Sequence, residues 1–432
     1  MESSAWAKRI AVGGSVNPGK LRTFNQLSTG LKDPQRRCWT IRVRSLRLLF
    51  LNHNVAWRAG FFRAFHWGRY LVRKGHEVTI LTISENKRWG FEIQEREGVR
   101  LVKTPDLLTG RLRSGWDPWD IINRLIYLWP QQYDLVHSVD SRPVCILPAL
   151  MLKKLLKTKL VIDWLDWWGR GGTIMERSNN LAQRLFTPVE TFFEEGFRQF
   201  ADGSVVISSA LKNRALSLGV GAEHLVQIPF GADVDRLLPR DKLAARRRLD
   251  LGIGEKILGY VGTISAKDLD LLMNAYQHLY ESDNRIRMIF IGRSGVKKAD
   301  LNPKIIDGVI LTGEITYGAL QDYIAACDVM WLPLKDTIAN RGRWPSKISD
   351  YLAAGRPVAA TAVGDLKALF SKAEIGVLSK DEPGDFARAT QQLLARPDLE
   401  ELGRNARRIA ETELSWEILT DRLESLYLDI LR

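Results

Sequence analysis

Cysteine is scarce in this chain of 432 residues, where only Cys38, Cys145 and Cys327 occur. An odd number of cysteines at irregular spacing matches neither a disulfide framework nor a metal-binding motif. Two of the three cysteines stand in apolar runs, so we expect them to be buried free thiols in a reducing compartment. Their expected role is that of small core residues.

Long apolar runs are also missing, and none reaches the roughly 18–20 residues that a membrane-spanning helix needs. The longest run, Pro143 to Leu156, is interrupted by Lys153 and Lys154. Residues 1–44 lack the continuous apolar core of a secretory signal, and their Ser-, Gly-, Arg- and Lys-rich composition predicts a disordered extension or an over-long start. We therefore expect a cytoplasmic protein, either free or peripheral on the inner face of the cell membrane.

Acidic residues are outnumbered, since 63 Lys and Arg against 50 Asp and Glu give a net charge of +13. This balance favours an anionic partner: nucleotide phosphates, nucleic acid or an acidic membrane face. The cations are dispersed and form no long run, so nucleic acid is not expected. Aromatic residues over 57–70 and 116–129, which we expect to be exposed, favour docking to an anionic membrane surface.

Apolar strand patterns alternate with helical patterns, which predicts an α/β fold of doubly wound parallel sheets covered on both faces. With 45% hydrophobic residues, the chain can fill two domains of about 150–200 residues each. In the first half we predict strands at Leu46–Asn52, Glu77–Thr82, Asp134–His137, Lys159–Asp163 and Gly203–Ile207, a hairpin over 90–103, and helices at Phe61–Lys74, 143–157 and near 180–201.

The alternation breaks over residues 229–250, which contain Pro229, Gly231 and Pro239, and we place a domain boundary there. Because ligands of such sheets bind at the carboxyl ends of the strands, two such halves predict a cleft between them. The second series comprises strands at Ile257–Val261, Met288–Ile291, Val309–Leu311 and Val329–Leu332, and helices at Asp268–Glu281 and Tyr317–Ala326. A helix, a strand and a turn over 346–364 come next, and three helices that end with Trp416–Leu431 close the chain.

A cluster of polar residues precedes and begins an apolar helix near residue 346. It contains Asn340, Arg341, Arg343, Lys347 and Asp350. A helix N-terminus offers backbone N–H groups, fixed cations bind phosphates, and a carboxylate binds ribose hydroxyls, so the cluster suits an anionic, hydroxyl-rich ligand. A solvated basic loop before an ordinary helix is an equally simple interpretation.

An ordered series of short motifs runs through the second half. The segments are Ile228–Asp233 (IPFGAD), Gly259–Thr263 (GYVGT), Lys267, Ile291-Gly292, Gly313–Ile315, Tyr317–Ala326, Asp328–Pro333, Ala353–Val358 (AAGRPV) and Ser415–Glu417. This series resembles the nucleotide-binding domain of GT-B-fold glycosyltransferases, particularly family 4. The first half matches the family more loosely, at Gly75–Thr79, Asp134–His137, Asp163–Gly172 and Val206–Leu211.

The resemblance implies two Rossmann-like domains that face each other across a cleft, with a C-terminal helix that returns to the N-terminal domain. On this basis we divide the chain into a 1–44 extension, a 45–230 acceptor-side domain, a 231–414 nucleotide-sugar-binding domain and a 415–432 helix. The implied activity is transfer of a sugar from a nucleotide diphosphate sugar to a sugar or lipid-linked acceptor, with retention of configuration, in the synthesis of cell-envelope polysaccharide or glycolipid.

The resemblance also implies roles for individual residues. The expected donor-binding residues are Gly262, Thr263, Lys267, Gly292, Arg293, Ile315, Tyr317, Asn340, Arg341, Ser346, Lys347 and Asp350. The expected catalytic residues are Asp140, Asp166 and Lys347, and the expected acceptor-side residues are Gly60, His137, Arg170, Gly171 and Gly172. No convincing Asp-x-Asp loop is present, so we expect Lys347 and Lys267, supported by Arg341 or Arg343, to stabilise the diphosphate leaving group without a metal or other cofactor.

Several positions depart from the family pattern. Of the family's two glutamates separated by seven residues, the second falls on Asp350 and the first on Gly342, so we expect Asn340 or Arg341 to replace the missing contact. The usual glycine pair after the first strand is reduced to Gly60, and the usual histidine is replaced by Val139, with Asp140 beside it.

Plain structural roles stay open for the same residues. Lys347 and Asp350 can be ordinary first-turn residues of a helix, Asp140 can cap the following helix, and His137 can be a satisfied strand-end histidine. Two other functions stay open as well: a nucleotide-sugar epimerase of the same fold, or a non-catalytic protein that binds nucleotide sugars or a membrane surface.

Overall fold

The computed structural model describes residues 44–58, 60–107, 114–177 and 181–432. The predicted extension, apart from Arg44, and Cys38 lie outside these residues. Ser45–Arg432 forms one compact unit, and the described part of it contains two sheets. Each half of the chain builds one of them, which confirms the predicted α/β architecture.

The first sheet has eight strands in the order β3-β4-β2-β1-β5-β6-β7-β8 within the described ranges. The strands are β1 (Arg47–Val55), β2 (Glu77–Ile83), β3 (Glu92–Arg96), β4 (Val99–Thr104), β5 (Leu135–Val139), β6 (Lys159–Trp164), β7 (Gly203–Val206) and β8 (Leu225–Gln227). The helices are α1 (Gly60–Arg73), α2 (Pro118–Leu128), α3 (Pro143–Leu156), α4 (Thr173–Arg177), α5 (Leu181–Glu195) and α6 (Ser209–Ser217).

Strand β1 lies at the centre of this sheet because its apolar run has to be covered on both faces. Leu48, Leu49, Phe50 and Leu51 are all buried, as expected for a parallel strand between two helical layers. Only the β3–β4 pair is antiparallel among the described strands. Glu97 and Gly98 both have positive φ in its two-residue turn, which fits a type I′ hairpin and confirms the hairpin prediction.

The second sheet has six parallel strands in the order β11-β10-β9-β12-β13-β14 within the described part of the chain. The strands are β9 (Lys256–Val261), β10 (Ile286–Ile291), β11 (Val309–Leu311), β12 (Val329–Leu332), β13 (Val358–Thr361) and β14 (Gly376–Ser379). The helices are α7 (Lys242–Arg248), α8 (Ala266–Ser282), α9 (Tyr317–Ala326), α10 (Ile338–Gly342), α11 (Ser346–Ala353), α12 (Leu366–Lys372), α13 (Pro383–Leu394), α14 (Leu399–Ile409) and α15 (Trp416–Leu431).

The last helix, α15, returns to the first half and packs on α1. The Trp416 indole stacks on the His66 ring, with centroids 4.8 Å apart, and Tyr427 is fully buried in the same core. The chain therefore crosses between the halves twice, and the crossings are hydrogen-bonded side by side: Ala232 N donates to Leu414 O at 2.7 Å, and Trp416 N donates to Ala232 O at 3.3 Å. The predicted return of the C-terminal helix is confirmed.

The two described cysteines, Cys145 and Cys327, are buried free thiols, as predicted. The expectation of exposed aromatic residues over 57–70 is wrong for most of them, because Phe61, Phe65, Trp67 and Tyr70 are buried in the core. Of the helices in the described ranges, none combines the length and the apolar character that crossing a membrane requires.

Candidate functional site

A cavity of about 550 Å³ lies between the two sheets, at the carboxyl ends of their strands. The first half contributes Gly60, which follows β1, and Asp166, which follows β6. The second half contributes the loop after β9 and the residues that begin α11. Of the predicted site residues, the cavity brings together Gly60, Asp166, Thr263, Lys267, Asn340, Ser346 and Lys347.

Three cations line the second-half wall of the cavity: Lys267, Arg343 and Lys347. Lys347 Nζ lies 5.3 Å from the centroid of the Tyr260 ring. Burial and the Arg343 charge lower the pKa of Lys347 to about 8, although nearby carboxylates favour its charged form. Together with the N-terminus of α11, these groups make a positively charged wall suited to phosphates.

Asp268 holds this wall in place, and the sequence analysis did not single it out. Its buried carboxylate accepts hydrogen bonds from Asn340 Nδ2 at 3.1 Å, Arg343 Nη2 at 3.3 Å and Lys335 N at 2.9 Å. Ser265 Oγ donates to it as well, at 2.7 Å. The Ser265-x-x-Asp268 spacing is a helix-capping signal, so the sequence did mark this carboxylate, but as a cap.

Asp350 is half-buried on α11 and is not part of the cavity lining described above. Burial and the Asp233 charge raise the pKa of Asp350 to about 7, against the opposing charge of Lys347. Burial, followed by the charges of Asp233 and Asp350, also raises the pKa of Tyr317. Asp350 and Tyr317 are therefore electrostatic neighbours beside the cationic wall. Ile315 packs against a hydrophobic core to which both halves contribute.

Four other predicted donor residues lie outside the lining. The Arg341 guanidinium is exposed and forms a bidentate ion pair with Asp336, with Nε 2.5 Å and Nη2 2.8 Å from its carboxylate oxygens. Arg293 is exposed, and the Gly292 amide donates to Thr312 Oγ1 at 2.8 Å. Gly262 has a positive φ of 71°, and a Cβ there would lie 3.9 Å from Lys347 Cε, so this glycine borders the cationic wall.

The Asp166 loop carries the predicted Arg170-Gly171-Gly172 segment, none of whose residues is part of the described cavity lining. Arg170 is exposed. Gly171 has a positive φ of 78° and lies against Ile338 of α10. A Cβ at Gly172 would lie 2.1 Å from Trp167 O, so only a glycine allows this turn to close. The segment shapes the loop that presents Asp166.

Asp140 and His137 lie away from the main cavity. Asp140 borders a small separate pocket with Trp168 and Glu194. Burial raises its pKa, but the charges of His53 and Arg142, whose nitrogens are each 3.8 Å from its carboxylate, outweigh burial and hold the pKa below its ordinary value.

His137 is fully buried in the core. Its Nδ1 is 2.5 Å from Tyr427 Oη, and its ring stacks on Phe50 with centroids 5.1 Å apart. Burial, together with the Arg63 charge, lowers the pKa of His137 well below its ordinary value. The ring is therefore held as a neutral core group.

Gly342, the position of the family's missing first glutamate, lies at a contact between the two halves. A Cβ at Gly342 would lie 2.6 Å from Trp167 Cβ. Ser208 Oγ donates to Gly342 O at 2.9 Å. The space that a side chain at this position would need is therefore filled by Trp167.

Comparison with known proteins gives a family model for each half. Residues 62–231 match the model described as glycosyl transferase 4-like domain, and residues 255–396 match glycosyl transferases group 1. A D-inositol 3-phosphate glycosyltransferase of Geodermatophilus obscurus is 29% identical over 224 residues, 48% of each chain. The chain spans about half the length of the curated relatives it matches.

Solved structures share the fold at low identity. Sucrose-phosphate synthase from Thermosynechococcus elongatus has a TM-score of 0.70 at 17% identity and covers 89% of this chain and 98% of its own. Anabaena HepE in complex with UDP-glucose has a TM-score of 0.64 at 15% identity and covers 89% of this chain and 100% of its own.

Proposed function

Because the chain carries both domains of a GT-B glycosyltransferase that resembles family 4, we propose that it transfers a sugar from a nucleotide diphosphate sugar to a hydroxyl acceptor. The proposal is carried by one observation: Lys267, Arg343 and Lys347 face Asp166 across a cavity between the two halves. The donor diphosphate lies against the cations in this proposal, and the acceptor enters from the side of Asp166.

The chemistry follows from where charge develops. When the bond between the anomeric carbon and the diphosphate oxygen breaks, negative charge builds on the leaving group, and fixed cations stabilise it. Lys267, Arg343 and Lys347 supply that charge here, so the proposed reaction needs no metal. Asp166 accepts a hydrogen bond from the acceptor hydroxyl and orients it. Retention of anomeric configuration is proposed from the resemblance to family 4, and closure of the two halves excludes water.

The relatives suggest which substrates to test first. HepE is described in complex with UDP-glucose, so UDP sugars lead the donor screen, followed by GDP and ADP sugars. The name of one relative, D-inositol 3-phosphate glycosyltransferase, puts a phosphorylated polyol first among the acceptors.

The donor test is a thermal-shift titration with each nucleotide and its sugars, since a ligand that binds only the native state raises the melting temperature. We expect one nucleotide to raise it, with the shift reduced in Lys347→Ala and Asp350→Ala. Lys367→Ala, at an exposed position, is the matched control and keeps the shift. No shift with any nucleotide would contradict the proposal.

Turnover then separates the transferase from its two rivals. Nucleotide release that depends on an added acceptor, and that continues after EDTA treatment, is the expected result. Conversion of the donor sugar without any acceptor would identify an epimerase. Donor binding with no turnover on a broad acceptor panel would identify a non-catalytic binding protein.

We further propose that the acceptor is lipid-linked and is reached at an anionic membrane surface, as in glycolipid or envelope polysaccharide synthesis. Helix α2 and its surroundings support this, because Ile126, Trp129 and Trp89 are exposed to 63%, 64% and 70%. Trp89 contacts Trp119, with ring centroids 4.8 Å apart, and Arg88 supplies a neighbouring cation. Apolar and aromatic groups beside a cation are typical of interfacial binding.

Flotation with vesicles that contain anionic phospholipid tests this surface. We expect the protein to float with them and the Ile126→Ser/Trp129→Ser variant to lose at least half of that fraction. Ile253→Ser, which removes another exposed apolar side chain, from the second half, is the control. Flotation that is absent, or equal for all three proteins, would contradict the membrane proposal.

A further inference from the structure

A second cavity, of about 640 Å³, lies at the opposite end of the second sheet. Its lining includes Asp328, which precedes β12, and Pro357, which precedes β13, so it opens at the amino ends of these strands. Helix α14 closes one side, and Gly403 approaches Gly355 so closely that a Cβ at 403 would lie 2.3 Å from Gly355 O. The cavity is therefore separate from the donor site.

Its lining is rich in cations, which are Arg240, Lys242, Arg356, Arg404, Arg407 and Arg408. Three of them are already paired: Arg240 with Asp322, Lys242 with Asp328, and Arg407 with Glu411. The remaining three, Arg356, Arg404 and Arg408, form no ion pair with any described residue. The lining carboxylates Asp241 and Glu400 offer two negative charges against these three, and Asp241 already caps α7 through Ala244 N.

Arg356 is the most informative of these cations. Its Nη2 donates to Arg240 O at 2.6 Å, but its buried Nε has no hydrogen-bond partner among the described residues. The guanidinium lines the cavity without a carboxylate partner in the described part of the chain, and an anionic oxygen is the group that pairs best with it.

Arg404 and Arg408 project from the same wall because they are one helical turn apart on α14. Like charges at this spacing repel each other. Arg408 Nη2 donates a hydrogen bond to the neutral amide oxygen Asn405 Oδ1 at 3.1 Å. A bound anion would relieve the repulsion of this pair, and Arg356 lines the same cavity.

We propose that this second cavity binds a small polyanion, a soluble compound that carries at least two phosphate or carboxylate groups. Three arginines without an ion-pair partner in the described ranges line this one cavity, and a ligand with at least two anionic groups can contact more than one of them at once. The bidentate geometry of guanidinium groups favours phosphate or carboxylate oxygens over halide ions. The inference does not depend on the proposed glycosyl transfer, because no residue of the donor wall takes part.

Isothermal titration with inorganic pyrophosphate tests the site. The titration is made on the Lys347→Ala protein, so that binding at the donor wall is weakened. We expect a single site whose affinity falls at least tenfold in Arg404→Gln/Arg408→Gln and in Arg356→Gln. Lys297→Gln/Arg422→Gln, which removes two exposed cations elsewhere, is the matched control and keeps the affinity.

Circular dichroism and thermal melting of each variant establish that it is folded before titration. Pyrophosphate affinity that is unchanged in Arg404→Gln/Arg408→Gln would overturn the proposal. An equal loss in the control pair would overturn it as well, because binding would then follow net charge alone. Titration of the same proteins with vesicles that contain phosphatidic acid distinguishes a soluble polyanion from a lipid headgroup. Binding to the vesicles without binding to pyrophosphate would overturn the proposal that the ligand is a soluble compound.

Discussion

Gly342 and Trp167 belong to opposite halves of the molecule and are in direct contact, so that a Cβ at position 342 would lie 2.6 Å from Trp167 Cβ. At the position where the family that this chain resembles carries a glutamate, this chain has Gly342, and the Trp167 side chain packs against its backbone. A carboxylate could enter here only if Trp167 moved. The buried carboxylate that lines the donor cavity is instead Asp268, which fixes Asn340 and Arg343.

Substitution of Gly342 should therefore destabilise the fold. We expect Gly342→Ala to lower the free energy of unfolding by about 1–3 kcal/mol, the usual range for overpacking. Urea denaturation measures this effect. Gly318→Ala is the control, because a Cβ at that helical position meets open space and alanine favours the helix. If Trp167→Ala removes the penalty of Gly342→Ala in a double mutant, the contact is its cause, and additive effects would exclude it.

Nucleotide affinity should depend on the charge of Lys347. Its pKa is lowered to about 8, so the ammonium group loses its proton as the pH rises through that value. We expect the affinity for the nucleotide diphosphate to fall between about pH 7 and 9, and Lys347→Arg to remove that fall because a guanidinium remains charged. Calorimetric titration across this range is the measurement, and a flat profile for the unmodified protein would refute the assignment.

Asp268→Asn should weaken nucleotide binding although the residue need not touch the ligand. The amide keeps the shape but loses the charge that holds Arg343, so we expect at least a tenfold loss of affinity, or about 1.4 kcal/mol. Asp270→Asn changes an exposed carboxylate on the same helix and serves as the comparison. Equal affinities in the two variants would remove Asp268 from the site. Urea denaturation of both separates a binding effect from a loss of stability.

Asp350 should make stability depend on pH in the direction opposite to an ordinary ion-paired carboxylate. Its pKa is raised to about 7, whereas the unfolded chain releases that proton near pH 4. The folded state therefore binds more protons between these values, and this contribution to stability, present below about pH 4, is lost as the pH rises through 7. Asp350→Asn should gain about 1–2 kcal/mol over the unmodified protein at pH 8, measured by urea denaturation at pH 5 and pH 8. A gain that is the same at both pH values would contradict this assignment.

The buried pair of Arg63 and Asp163 should be costly to break. Arg63 Nε is 2.8 Å from Asp163 Oδ2, and the guanidinium also donates to Pro229 O and Ile228 O where the chain leaves the first half. Removal of one partner leaves a buried charge, so we expect Arg63→Met to lose about 3–5 kcal/mol. Arg63→Met/Asp163→Leu should recover part of the loss in the same denaturation assay. No recovery would show that the contacts to Pro229 and Ile228 dominate.

Much of the fold could be predicted because its central strands are apolar and its turns carry their own signals. The run Leu48–Leu51 and the positive-φ Gly75 mark a strand and a helix end locally. Helix α2 was not predicted, although Asp117 caps it through Trp119 N and Pro118 follows. Its aromatic residues suggested a surface rather than a helix. Strand β8 has three residues, too few for a pattern.

The resemblance predicted cavity-lining residues from several segments, including Gly60, Asp166 and Lys267, whereas the residues alone predicted only the local cluster near residue 346. Asn340, Ser346 and Lys347 lie together at one strand end and do line the cavity. Arg341 and Arg343 cannot be told apart in the sequence, yet α10 ends between them, and one side chain turns to Asp336 while the other turns to Asp268. The placement of His137 depends on Tyr427, which lies 290 residues away. Contacts of this range leave no signature in one sequence.

The paired crossings at Ala232 and Ser415 limit how the two halves can move. A single linker would allow one half to rotate in any direction, but two hydrogen-bonded segments side by side resist twisting and sliding and bend most easily about one axis. The easiest relative motion of the two halves would then be a hinge about one axis, which would open or close the cavity between them. Such a hinge would return Lys267, Arg343 and Lys347 to the same position relative to Asp166 whenever the cavity closed.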